Sequence, residues 1–277
     1  MNKLEKLAKD NNENYKQYLN RMTLSYNVSS KKYLPLLVNG NKILDVGCGS
    51  GILLKELSNY GFNVKGIDIN NNAIEVCQKE GYNVENLSLY DIHEKFDTII
   101  FSSVLHEFSS YDIDKPFTEL PIVNAIRQAH SLLNTNGQLI IRDGIKANYG
   151  KTYITAKNND VIKAFCKYVS DTPTIFTNRI YNINDRTIFA DKDLLKEFMY
   201  TYTWGPNSYA REVQEQYGIL TQSEWLYYIK RAGYRINTVI LNNDNYIKYL
   251  SKYFEYSTNL TDLLEQSTII IEAIKEE

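Results

Sequence analysis

Between Asp45 and Gly51 the chain reads Asp-Val-Gly-Cys-Gly-Ser-Gly, with glycines at 47, 49 and 51 directly behind the short apolar run Lys42 to Val46. Glycine lets a backbone turn tightly and lets a ligand approach main-chain N–H groups; a helix starting behind such a turn adds further unpaired donors. Two ligand chemistries use turns of this kind, and spacing separates them. A dinucleotide pyrophosphate needs Gly-x-Gly-x-x-Gly, and here position 52 is Ile. Asp45, two residues ahead of the first glycine, would repel a pyrophosphate and attract an amine. The turn predicts a ligand that brings positive charge to it.

Other chemistry-bearing residues fall where strands should end. The apolar run Phe96 to Ser102 leads into Ser103-Val104-Leu105-His106-Glu107-Phe108. His106 titrates near neutral pH and is the natural general base, or else a satisfied structural histidine. Glu107 would orient it, bind a cationic group or face solvent. Arg142-Asp143 closes the next apolar run. Trp204-Gly205-Pro206-Asn207-Ser208-Tyr209-Ala210-Arg211-Glu212 combines a rigid turn, an aromatic face and a guanidinium. Arg211 would grip a carboxylate or phosphate, or pair with Glu212 or Glu215. Arg142, Trp204 and Arg211 are the candidate acceptor contacts. Cys48, Cys77 and Cys166 lack metal-ligand spacing and read as free thiols of a reducing compartment, so no metal is expected.

Strand-like and helical runs alternate around these residues. Lys42–Val46 precedes a helix from Ile52 to Tyr60; Asn63–Asp68 precedes one from Asn71 to Lys79. Tyr82–Leu89 reads as a third strand and Phe96–Ser102 as a fourth. A helix from Ile122 to Leu133 and a turn at Asn134–Gly137 lead to a fifth strand, Gln138–Asp143. The rhythm stops from 146 to 220, then resumes with a capping box at Thr221-Gln222-Ser223-Glu224 and strands at Tyr234–Leu241 and Thr268–Ile274. Such alternation builds a parallel sheet with helices on both faces.

Lys42 to Gly51, K-I-L-D-V-G-C-G-S-G, resembles the first motif of class I S-adenosylmethionine-dependent methyltransferases. The resemblance covers residues 42 to 145, and 221 to 277 by topology. It implies an α/β fold: a seven-stranded, mostly parallel Rossmann-like sheet with an inserted cap after the fifth strand. It implies S-adenosylmethionine as cofactor, whose amine and sulfonium suit Asp45. Asp45, Gly47 and Gly49, with Cys48 between them, would contact the methionine part. Asp68, followed by Ile69, would hold the ribose hydroxyls, and Asp91 with Ile92 the adenine; Ser103 is counted with them. Methyl transfer from a sulfonium is an in-line displacement, helped mainly by alignment and by a base only where the acceptor must lose a proton. The Asn/Asp-Pro-Pro-aromatic stretch of enzymes that methylate exocyclic base amines is missing, as is the Pro-Cys pair of cytosine-C5 enzymes.

The expected organisation is an N-terminal helical segment over 1–40, with Tyr15, Tyr18, Arg21 and Met22 closing over the cofactor. A core of 41–145 and 221–277 follows, with 146–220 inserted as a substrate lid. The 277 residues carry a net charge of -2, which lowers the case for nucleic acid. A small-molecule acceptor is expected. RNA or protein methylation and a non-catalytic scaffold are the alternatives. No run is long enough for a membrane span and none reads as a secretory signal, so a cytoplasmic protein, compatible with a homo-oligomer, is expected. The 23 tyrosines either line a pocket or reflect biased composition.

Overall fold

A computed structural model describes residues 31–173, 180–242 and 246–276. The seven-stranded sheet is ordered β3-β2-β1-β4-β5-β10-β9. Its strands are β1 Lys42–Val46, β2 Asn63–Ile67, β3 Val84–Glu85, β4 Phe96–Ser102, β5 Leu133–Gly144, β9 Tyr234–Asn242 and β10 Thr268–Lys275. β1 to β5 are parallel, whereas β10 is antiparallel to both β5 and β9. The chain therefore has the expected mostly parallel α/β sheet.

The central strands are apolar on both faces because helices cover both. Leu44, Val46, Ile99, Phe101, Leu139 and Ile141 enter one core. Ile43, Ile100, Ile140 and Ile270, at the alternate positions, enter another, as the two-residue period of a strand requires. The helices α1 Ile52–Asn59, α2 Asn71–Lys79, α3 Leu105–Ser110 and α4 Leu120–Leu132 connect the strands. α8, Gln222–Arg231, begins with the expected capping box between Thr221 and Glu224.

Two elements differ from expectation. The third strand keeps only Val84 and Glu85, after which Ser88 and Asp91 cap a single 3-10 turn, Leu89–Asp91. Side chain-to-backbone bonding there competes with the ladder. The turn expected at 134–137 lies inside β5, where the partner of β4 jumps from Leu133 to Gln138. Asn136, at φ 58°, lets the strand bulge there.

Residues 146–220 carry a sheet of their own, β6 Lys151–Thr155, β7 Tyr181–Asn184 and β8 Thr187–Asp191 in the order β6-β8-β7. They also carry α5 Asn159–Asp171, α6 Lys192–Thr203 and the single turn α7 Tyr209–Glu212. Ile154, Phe165, Leu194 and Phe198 form a third hydrophobic cluster with Leu250, Phe254 and Leu260. The last three come from α9 Tyr246–Leu250, α10 Thr258–Leu264 and the turn between them, so the segment connecting β9 to β10 packs with the insertion rather than on the main sheet.

Residues 1–30 lie outside the described residues, and with them Tyr15, Tyr18, Arg21 and Met22. The following stretch is pinned to the ends of the strands opposite the glycine turn. Asn39 donates to Gln138 Oε1 at 2.8 Å, and Gln138 Nε2 donates to the Leu37 carbonyl at 2.8 Å.

Candidate active site

The glycine turn is tied to the neighbouring strand. Gly47 N and Cys48 N both donate to the Ile67 carbonyl, at 2.8 and 3.0 Å. Gly47, Gly49 and Gly51 have φ of 70°, 52° and 77°, the left-handed region that glycine reaches without strain. Space enforces the same choice. A Cβ on Gly47 would sit 2.4 Å from Val104 Cγ2, and one on Gly51 2.9 Å from Cys77 Sγ. Cys48 is buried, with its side chain against Gly66, so it offers a ligand only its backbone.

Asp45 ends β1 with 2% of its surface exposed. Its Oδ2 has no hydrogen-bond donor among the described residues. Burial, with the Asp68 charge adding to it and Lys31 opposing, pushes its carboxyl up to about 7. A buried carboxylate oxygen lacking a donor is costly and fits a missing cationic or N–H partner. Asp68 accepts from Gly49 N at 2.9 Å and Asn70 N at 2.8 Å. It braces the turn from just past the end of β2, and burial raises its pKa despite those donors. Ile69 beside it holds an apolar side chain 59% exposed, available to an apolar ring.

Asp91 is exposed and accepts from Ser88 N at 3.2 Å, a local capping role. The side chain of Ile92 lies in the core, and its N donates to the Leu89 carbonyl at 3.4 Å. Ser103 is held at φ 59° just past β4, a strained conformation for a residue with a side chain. Its N donates to the Arg142 carbonyl at 2.6 Å and its Oγ accepts from Arg142 Nη1. Arg142, nearly buried, thus pairs with Ser103. Trp204 is half-buried at the end of α6.

Beyond the ends of β4 and β5, a buried charged cluster joins sheet and insertion. His106 Nδ1 lies 2.6 Å from Asp143 Oδ1, and His106 Nε2 lies 3.6 Å from Glu215 Oε2. Burial alone would lower the His106 pKa, but the Asp143 and Glu215 carboxylates outweigh it and raise the value well above the ordinary range. Both carboxylates favour the imidazolium form of His106, and the linear chain places neither of them beside it.

Arg211 bridges Glu107 Oε2 at 2.9 Å and Glu215 Oε1 at 3.1 Å. It is spent on internal acids rather than offered to an anionic acceptor. Tyr111 Oη donates to Glu215 Oε1 at 2.7 Å, and Tyr217 Oη donates to Glu212 Oε2. The ring of Tyr217 stacks on His106 at 4.7 Å. Glu197 holds that ring in place by accepting Tyr217 N at 2.9 Å and Gly218 N at 2.7 Å. Donor atoms of His106, Glu107 and Glu215 lie within 4.8 Å of one another, and Arg211 is a cation among them. Asp143, Glu215, Tyr111 and Tyr217 were not singled out as site residues. The available signals were the position of Asp143 at a strand end and the two acids following Arg211.

A family model described as "Methyltransferase domain" matches residues 13–161. The ubiquinone biosynthesis O-methyltransferase of Pasteurella multocida is 37% identical over 84 residues, covering 28% of this chain and 33% of that protein. The chain thus spans about a third of that curated relative's length. Among solved structures, an S-adenosylmethionine dependent methyltransferase from Mesorhizobium loti superposes with a TM-score of 0.52 at 16% identity, covering 90% of this chain and 100% of that one. The plantazolicin methyltransferase BpumL, solved with a monoazolic desmethylPZN analog and SAH, gives a TM-score of 0.52 at 15% identity, covering 97% and 91%. At these identities the likeness is one of fold. No helix among the described residues is long and apolar enough to cross a membrane.

Proposed function

The chain belongs to the methyltransferase-domain family, within the class I S-adenosylmethionine-dependent superfamily, and from that premise we propose that it methylates a small-molecule acceptor with S-adenosylmethionine. The observation that carries this reading is Asp45. Its buried Oδ2 has no donor among the described residues, beside a turn whose three glycines all adopt positive φ. An ammonium group supplies both the positive charge and the N–H donor that this oxygen lacks.

In this reading Asp45 and the backbone of Gly47, Cys48 and Gly49 hold the methionine part. Asp68 accepts the ribose hydroxyls with Ile69 against the adjoining ring, and Asp91 and the Ile92 backbone face the adenine. Ser103 and Arg142 sit at the rim of the same site. When bound, S-adenosylmethionine supplies an electrophilic methyl group on a sulfonium. The protein's part is alignment and exclusion of water. The lid reading of 146–220 is supported by Glu215 and Tyr217, which reach from the insertion onto His106 at the strand ends. The burial of His106, Glu212 and Glu215 favours an acceptor small enough to enter beneath that segment over RNA or a folded protein. His106 acts here as a positioning residue, its imidazolium fixing Glu215.

Titration calorimetry with S-adenosylhomocysteine, S-adenosylmethionine and NAD tests the cofactor. The sulfur ligands should bind and NAD should not. Preferential binding of NAD would overturn the reading.

A further inference from the structure

The cluster beyond the strand ends has more negative than positive groups. Three carboxyl groups (Glu107, Asp143 and Glu215) surround two cations, His106 and Arg211, while burial and the neighbouring Glu215 charge push the Glu212 carboxyl well above the usual carboxylate range. His106, Asp143, Glu212 and Glu215 are buried, where unbalanced charge is expensive. One acceptor atom inside the cluster points to a missing donor. Glu212 is 1% exposed, and its Oε1 has no hydrogen-bond donor among the described residues, with Arg211 Nε 3.9 Å away. The aromatic neighbours suit positive charge as well: the Tyr111 ring lies 5.8 Å from the Arg211 guanidinium, and the Tyr217 ring stacks on His106.

We propose that the acceptor is a cationic amine, drawn in by Glu107 and Glu215 and deprotonated by Glu107. This rests on the reading of the chain as an S-adenosylmethionine-dependent methyltransferase. A carboxylate or phosphate acceptor would enter against the acids, and Arg211, which would have welcomed it, is engaged by Glu107 and Glu215.

Glu107 is the accessible member, its side chain 25% exposed against 5% or less for His106 and Glu215. Burial raises its carboxyl to about 7, with Arg211 and His106 lowering it and Glu215 and Asp68 raising it. It can therefore take a proton near neutral pH, whereas the carboxylates beside His106 favour its protonated form. The ammonium gives its proton to a Glu107 oxygen. The freed nitrogen lone pair forms the N–C bond while the C–S bond breaks, its electrons remaining on sulfur. The product is a methylated ammonium and a neutral thioether, and Glu107 returns its proton to water.

The test uses the full chain saturated with S-adenosylhomocysteine and titrated with benzyltrimethylammonium or benzenesulfonate. The ammonium should bind at least about tenfold more tightly than the sulfonate, a difference of about 1.4 kcal/mol. Glu107→Gln should weaken ammonium binding by about tenfold, with Glu107→Asp recovering part and S-adenosylhomocysteine affinity unchanged. Equal or better binding of the sulfonate, or of neither probe, would overturn the inference. Loss of S-adenosylhomocysteine binding in the unmodified protein would instead overturn the reading beneath it. With methyl-labelled S-adenosylmethionine and a small-molecule cell extract, the label should reach the nitrogen of a compound retained on a cation exchanger at pH 7. Label on oxygen, on an anion or on macromolecules only, or no labelled product, counts against the proposal. Glu107→Gln should lower kcat/KM by about 100-fold, with the deficit narrowing at alkaline pH, where the amine sheds its own proton; a pH-independent deficit would remove Glu107 as the base.

Discussion

Asp143 Oδ1 lies 2.6 Å from His106 Nδ1, while Asp143 Oδ2 accepts the backbone N–H groups of Leu105 and His106 at 2.8 and 3.2 Å. One carboxylate at the end of β5 thus caps the first turn of α3 and charges the imidazole that turn carries. This pairing favours the imidazolium of His106, whose other ring nitrogen faces Glu215, itself bonded to Arg211.

His106→Gln should destabilise the fold by about 3–5 kcal/mol, since it removes one partner of a buried ion pair. The folded pKa of His106 is raised above its unfolded value. Its stabilisation is therefore fully present below about pH 6.5 and is lost as pH rises through the folded value. Urea unfolding of both proteins between pH 6 and pH 10 should show the gap shrinking toward alkaline pH. A constant gap would mean that His106 is neutral in the folded state.

Asp45→Asn should separate stability from binding. The folded carboxyl at about 7 lies above its unfolded 3.8, so the folded state binds the extra proton and Asp45 removes stability as pH climbs through that interval. Without ligand, the variant should melt higher than the parent at pH 8 and alike at pH 4. Its affinity for S-adenosylmethionine should fall by about 1.5–3 kcal/mol, the scale of a charge-assisted hydrogen bond. Unchanged affinity in calorimetry would displace the ammonium from Asp45.

Asp68→Ala should cost cofactor affinity about 1–3 kcal/mol. It should also loosen the empty turn, because Asp68 anchors Gly49 N and Asn70 N. Hydrogen exchange at residues 47–51 of the ligand-free variant should quicken, and protection equal to the parent's would confine Asp68 to ligand contact.

Gly47→Ala meets both a φ of 70° and Val104 Cγ2 at 2.4 Å from the new Cβ. Backbone strain of about 1 kcal/mol or more plus the clash should lower stability. Adding Val104→Ala should relieve the clash and leave the strain. A double-mutant cycle reads this directly; strict additivity of the two losses would show that Val104 does not fill the space beside Gly47.

What the linear chain determined was local. Lys42–Val46, the glycine turn and α1 are contiguous, so apolar period, glycine spacing and one acid could be read together. The alternation of strands and helices then implied the sheet, because a parallel sheet needs crossovers of that length. The same contiguity made Asp45 and Asp68 legible, since each ends a strand that announces itself. The weak third strand was less so: side chain-to-backbone bonds of Ser88 and Asp91 outcompeted the ladder.

The acceptor side was decided by tertiary structure. Tyr111 and Glu215 are 104 residues apart and meet at 2.7 Å. No periodicity encodes that meeting; it depends on β5, the insertion and the packing of Gly144 against Tyr217, where an added Cβ would come 2.5 Å from a carbonyl. The residue type of His106 suggested a base, and the two carboxylates beside it, which favour its imidazolium form, were brought in only by the fold. The cofactor turn was written in adjacent residues, whereas the charge of the space beyond it came from groups that only the folded chain assembles.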